Sequence, residues 1–158
     1  MKQFLLLYWV GTLLLFALFY WDLSPFASFI NEFQTNVTVF LTSLTLPHDR
    51  MQGYHILINN HYSLVIEKAC NGMIPYLFFL ASIMAFPATW VHKIRWAVGG
   101  YITITLVNIL RIWIITQMVI KETHDFSLAH DYLGNILLVL TALVLFVLFV
   151  KTKNNIKK

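Results

Sequence analysis

Cys70, the one cysteine in 158 residues, lies in the run Glu67-Lys68-Ala69-Cys70-Asn71-Gly72, where a polar segment passes directly into a long apolar stretch. A thiol at the mouth of a membrane helix is a candidate nucleophile. Two further polar clusters interrupt apolar runs: Asn108-Ile109-Leu110-Arg111 falls inside one, and His130-Asp131 immediately precedes another. Three polar interruptions of three different runs read as parts of one site.

Each of these residues also has a purely structural reading. A cysteine outside a disulfide often serves as a small buried hydrophobe, so the thiol alone leaves both roles open. At the amino end of a helix with a guanidinium nearby, both fields would favour the thiolate, and Gly72 would allow another backbone to approach closely. An arginine within a span costs about 2.5 to 3.5 kcal/mol on insertion scales, so Arg111 is expected to face a bundle interior or a water-filled cavity and to belong to the site. Asn108, three residues earlier on the same helical face, either braces that guanidinium or satisfies backbone at a helix junction. His130 taken alone reads as a cap or interfacial anchor of the last helix. Of the 6 histidines, His48, His55, His61, His124 and His130 fall on the outer side of the topology derived below. No pair of them has a zinc spacing, and one cysteine offers little thiolate ligation. No metal and no cofactor is expected.

Composition sets the class of element that must carry these groups. The chain is 59% hydrophobic and only 11% charged, with a mean hydropathy of +0.71, against about one-quarter charged residues in soluble domains. This is the composition of an integral membrane protein, all-α, with no room for a separate soluble domain. Its formal net charge of +4 forms no broad basic stripe, so nucleic acid is not an expected partner.

A span needs about 20 apolar residues, and four runs qualify: residues 4–21, 70–90, 96–120 and 132–150. The first reads as a retained span, because its core is longer than a signal region and no small-x-small site follows. Between the first and second spans, Pro25 suits a first helical turn after a Ser24 cap. Phe26, Ile30, Phe33, Val37, Phe40 or Leu41, and Leu44 then recur at helical spacing, which predicts an amphipathic helix at the interface or against the bundle, with a tilted extra span as the alternative. Tyr54 to Ile66 predicts a β-hairpin turning at Asn59-Asn60-His61, in water or against protein because open sheet edges cannot face lipid. Residues 22–69 thus form an extracytoplasmic segment of one amphipathic helix and one small hairpin. Val91 to Arg95 reads as a short basic loop, and 151–158 as a basic tail.

Lys2, Lys93, Arg95, Lys151, Lys153, Lys157 and Lys158 all fall on one side of this arrangement. The positive-inside rule makes that side cytoplasmic, with both termini inside a cell membrane. Every acidic residue falls outside, with Cys70 and His130. Arg111 lies nine residues below the outer end of its span, about 13 Å deep at 1.5 Å per residue, within reach of the surface through its long side chain.

Ala69-Cys70-Asn71-Gly72, Asn108-Ile109-Leu110-Arg111-Ile112 and His130, in this order and membrane setting, resemble the exosortase and archaeosortase family of membrane cysteine transpeptidases. The resemblance covers about Glu67 to Leu140, and the first third matches only in being hydrophobic. Asn71 stands where many members have serine, and many members are larger, so this chain is similar to a compact branch. The resemblance implies Cys70 as nucleophile, Arg111 as stabiliser of the oxyanion and His130 as general acid and base, with Asn108, Asn71 and Gly72 in support. It further implies cleavage of secreted proteins that carry a carboxy-terminal signal of recognition motif, transmembrane helix and basic cluster. A thioester would form on Cys70 and pass to an acceptor, which could be water, lipid or glycan. Two rival readings use the same residues: a noncatalytic membrane assembly factor, which predicts that Cys70→Ala is tolerated, and an acyltransferase, which predicts an acyl adduct on Cys70 without protein cleavage.

Overall fold

The computed structural model describes residues 2–21, 25–59, 61–121 and 134–155. In chain order it has α1 (Lys2–Phe19), α2 (Pro25–Ser43), strands β1 (Met51–Gln52), β2 (His55–Asn59) and β3 (Tyr62–Val65), then α3 (Met73–Ala85), α4 (Trp90–Lys121) and α5 (Asn135–Asn155). Single 3-10 turns precede β1 and α3, at His48–Arg50 and Lys68–Cys70. Among the described residues, three helices are long and apolar enough to cross a membrane: Lys2–Phe19, Trp90–Lys121 and Asn135–Thr152.

The outer surfaces of these helices are those of a protein solvated by lipid. In α1 only Thr12 is buried, while Leu6, Leu13 and Leu14 are more than half exposed. Such an apolar exterior is stable where the surrounding solvent is hydrocarbon.

The second span is shorter than expected from residues 70–90. α3 has 13 residues, about 20 Å at 1.5 Å per residue, and it stops because Pro87 pushes the preceding residue out of helical space. Phe86 is accordingly extended, at φ −78° and ψ 137°. The expected basic loop is likewise absent: Val91 to Arg95 form the first turns of α4, since nothing after Pro87 opposes helix there. Lys93 secures the corner by donating to the Met84 carbonyl at 2.6 Å while lying over the Trp90 ring. The helix of α5 runs through Asn155, into the residues expected to form a tail.

The expected amphipathic helix is present as α2, but its polar face is the buried one. Asn31, Gln34, Thr35, Thr38 and Thr42 are buried, whereas Phe26, Phe29, Phe33 and Phe40 are each more than half exposed. The bundle takes the hydrogen-bonding side and leaves the aromatic side outward, the inverse of a helix on a water-soluble core. The Ser24 cap lies outside the described residues.

The expected hairpin is β2 and β3, antiparallel, with His55 opposite Val65 and Ile56 opposite Leu64, and a register slip between Leu57 and Asn59. β1 adds a third strand in the order β1-β2-β3. The alternation of the strands buries Ile56 and Leu64 together with Ile66 against Ile112, Ile115 and Val119 of α4. The last turns of α4 are therefore covered by the sheet on one face. A second core, Phe79, Ile83, Ile104, Leu138, Leu145 and Phe149, joins α3, α4 and α5.

The ends of the bundle are chemically distinct. Phe4 packs on Phe86 and Phe146, and His92 Nε2 lies 3.2 Å from the Phe149 carbonyl oxygen. The start of α1, the α3–α4 corner and the end of α5 thus meet at one end, where Lys2, Lys93, Arg95 and Lys151 also fall. Cys70, at the start of α3, belongs to the other.

Candidate active site

Cys70 closes the 3-10 turn at Lys68–Cys70, with its backbone N–H donating to the Glu67 carbonyl at 2.8 Å. Gly72 then reverses the chain at φ 77°, a left-handed conformation that costs glycine little, and α3 begins at Met73. Asn71, which is 0% exposed, stands one residue before the helix's amino cap, Gly72, and its Oδ1 accepts from the Met73 N–H at 2.9 Å. It thereby satisfies one of the first helical N–H groups, which have no partner within the helix. Cys70 therefore stands at the positive end of the α3 dipole.

The buried polar face of α2 forms the seat of this turn. Gln34 Nε2 donates to the Asn71 carbonyl at 3.0 Å, and the Asn71 amide reaches Thr35 Oγ1 at 3.4 Å and Asn31 Oδ1 at 3.5 Å. Asn31 Nδ2 in turn donates to the Phe19 carbonyl at 2.8 Å, closing the end of α1. The Tyr101 hydroxyl donates a short hydrogen bond to Gln34 Oε1, so α4 holds the same seat from its other side.

From α4, Asn108 links the thiol-bearing turn to the guanidinium. Its Nδ2 donates to the Cys70 carbonyl at 2.8 Å, and its Oδ1 accepts a long contact from Arg111 Nη1 at 3.5 Å. A Cβ added at Gly72 would lie 3.3 Å from the Asn108 side chain, so glycine serves both the turn and this approach. Arg111 is 3% exposed and donates through Nη2 to Asn135 Oδ1 at 3.3 Å, at the first turn of α5. Cys70 and Arg111 line one cavity of about 60 Å³ beneath the sheet.

Of the six residues singled out in the sequence, Cys70, Asn71, Gly72, Asn108 and Arg111 come together at this end of the bundle. His130 lies outside the described residues, as does His124. Among the described residues no group of three histidine, cysteine or acidic side chains could hold a metal. The sequence reading missed Gln34, Tyr101, Gly134 and Asn135. A signal for the α2 face was present in the spacing Asn31, Thr35, Thr38, Thr42, a polar stripe at intervals of four, three and four.

Gly134 packs against the guanidinium, and a Cβ there would fall on Arg111 Nε. Gly134→Ala is therefore expected to displace the arginine head from Asn135 and to lower activity about tenfold or more, as misplacements near 1 Å do, while the amount of protein in the membrane stays near wild type. Processing assays beside immunoblots check this; an alanine variant with full activity would show that the guanidinium tolerates displacement.

These elements define a helical membrane protein with a cysteine-centred polar site at one end of its bundle. The chain belongs to the transmembrane exosortase family, a family of membrane protein-sorting transpeptidases, whose family model matches residues 2–147. That match takes in the first third of the chain, which in the sequence resembled the family only in hydrophobicity. No curated protein and no solved structure matches the chain.

Proposed function

We propose that the protein is a cysteine transpeptidase that cleaves a carboxy-terminal sorting signal of secreted proteins at the outer membrane surface. The observation that carries this reading is the shared cavity of Cys70 and Arg111, with Asn108 bridging the two residues. The Cys70 thiolate attacks the scissile carbonyl, and the negative charge that develops on the carbonyl oxygen is met by the Arg111 guanidinium. His130 protonates the departing amine, leaving a thioester, then deprotonates the acceptor that resolves it. Gly134 packs against Arg111, and His130 stands four positions before it in the sequence. Asn71, Gly72 and Asn108 fix the turn that presents the thiol.

The proposed topology has four crossings, with α3 as the short one, and both termini in the cytoplasm. The gathering of Lys2, Lys93, Arg95 and Lys151 at the end opposite Cys70 supports it through the positive-inside rule. The substrate's transmembrane helix then lies beside the bundle and brings its outer end level with Cys70. The test is co-expression with a secreted reporter bearing a motif, a transmembrane helix and a basic cluster. His130→Ala is expected to cut processing by about 10² to 10⁴, the usual contribution of a positioned acid and base, at unchanged membrane abundance. Processing by His130→Ala at the wild-type rate would remove histidine from the mechanism.

A further inference from the structure

Among the described residues, the cavity that Cys70 and Arg111 share is otherwise lined by apolar side chains. Ile56 and Leu64, a cross-strand pair of β2 and β3, line it from the sheet, and Ile112 and Ile115 line it from α4. Its chemistry is thus divided: one thiol and one buried guanidinium on one part of the wall, branched aliphatic side chains on the rest. A peptide carbonyl placed between the thiol and the guanidinium carries its own residue's side chain on the adjacent Cα. The aliphatic wall is the surface next to it.

We propose that this cavity seats the side chain of the residue whose carbonyl Cys70 attacks, and that it selects a compact branched aliphatic residue at that position. The inference rests on Cys70 being the nucleophile. The volume of about 60 Å³ exceeds the roughly 10 to 15 Å³ that a single water needs and falls well below the roughly 150 Å³ that admits benzene. A valine-sized group fits it, an aromatic ring does not, and glycine leaves it unfilled. Ile115 is the wall residue to vary, because it lines the cavity from α4 and contributes no polar atom to the site.

The test uses the full chain in nanodiscs and four reagents: iodoacetamide, and the chloromethyl ketones of N-acetylglycine, N-acetylvaline and N-acetylphenylalanine. In each ketone a bond forms from the sulfur to the methylene carbon as chloride leaves, and rates of Cys70 labelling are read by mass spectrometry and normalised to glutathione. Wild type is expected to react with the valyl reagent about tenfold or more faster than with the other two, the scale of methylene discrimination in apolar pockets. Ile115→Ala is expected to raise the phenylalanyl rate relative to the valyl rate about tenfold, and the milder Ile115→Val to move it less in the same direction. A melting midpoint in detergent within a few degrees of wild type reports that each variant keeps its fold. Labelling by iodoacetamide without any order among the ketones, or an order unmoved in both Ile115 variants, would overturn the pocket alone. Failure of all four reagents to label Cys70 would overturn the nucleophile as well.

Discussion

Cys70→Ala is expected to reduce processing of a sorting-signal substrate to background, a loss of about 10³-fold or more, and Cys70→Ser to do nearly the same. Alanine removes the attacking atom. Serine keeps an oxygen in its place, but a hydroxyl is a weak nucleophile at its own pKa and needs an adjacent base to activate it, where a thiol needs only to ionise. The loss would not come from unfolding. Cys70 makes two backbone hydrogen bonds, its N–H donating to the Glu67 carbonyl and its carbonyl accepting from Asn108 Nδ2. Both survive substitution, and the side chain is only half-buried, so melting in detergent is expected to shift by no more than a few degrees. Processing and melting measured on the same preparations separate these effects. Cys70→Ala retaining more than about one-tenth of wild-type processing would return the chain to the noncatalytic assembly reading, with the polar residues serving only to lock the helices.

How much of this was legible in the sequence follows from the range of the interactions. The hairpin was legible because alternation is a period-two pattern, and the sheet uses it directly: Ile56 and Leu64 are buried against α4 while His55 and Val65 are exposed. The ends of α3 were not, because an apolar run that continues through Pro87 looks like one span when counted by hydropathy. Periodicity also revealed that α2 is two-faced without revealing which face meets the bundle. In a water-soluble protein the apolar side turns inward; where lipid surrounds the molecule that preference disappears, and hydrogen bonds decide. The polar stripe of α2 turned inward because Asn71 offers it partners, and those partners are remote in sequence: Gln34 and Asn71 are 37 residues apart. Arg111 was expected to need a partner, and Asn108 was named from local spacing. Asn135, 24 residues away on another helix, leaves no local trace.

The environment of Arg111 sets the second large effect. Arg111→Ala and Arg111→Lys are both expected to lower turnover by about 10² to 10³, the cost of losing one charge-stabilising donor at a developing oxyanion. Lysine is an informative substitution because it preserves the charge. Arg111 divides its fork between Asn108 and Asn135, and a single ammonium cannot hold both while also meeting a carbonyl oxygen in the cavity. If the guanidinium acts on the tetrahedral intermediate, the loss falls on kcat with KM nearly unchanged. If it instead binds the substrate's ground state, KM rises and kcat survives. Asn135→Ala, which leaves the arginine in place but removes one of its acceptors, is expected to give an intermediate loss of about tenfold, again in kcat. Steady-state kinetics of reporter cleavage in proteoliposomes distinguish these cases. Full turnover in Arg111→Lys would mean that charge alone suffices and that the fork serves packing, and full turnover in Arg111→Ala would take the guanidinium out of the chemistry altogether.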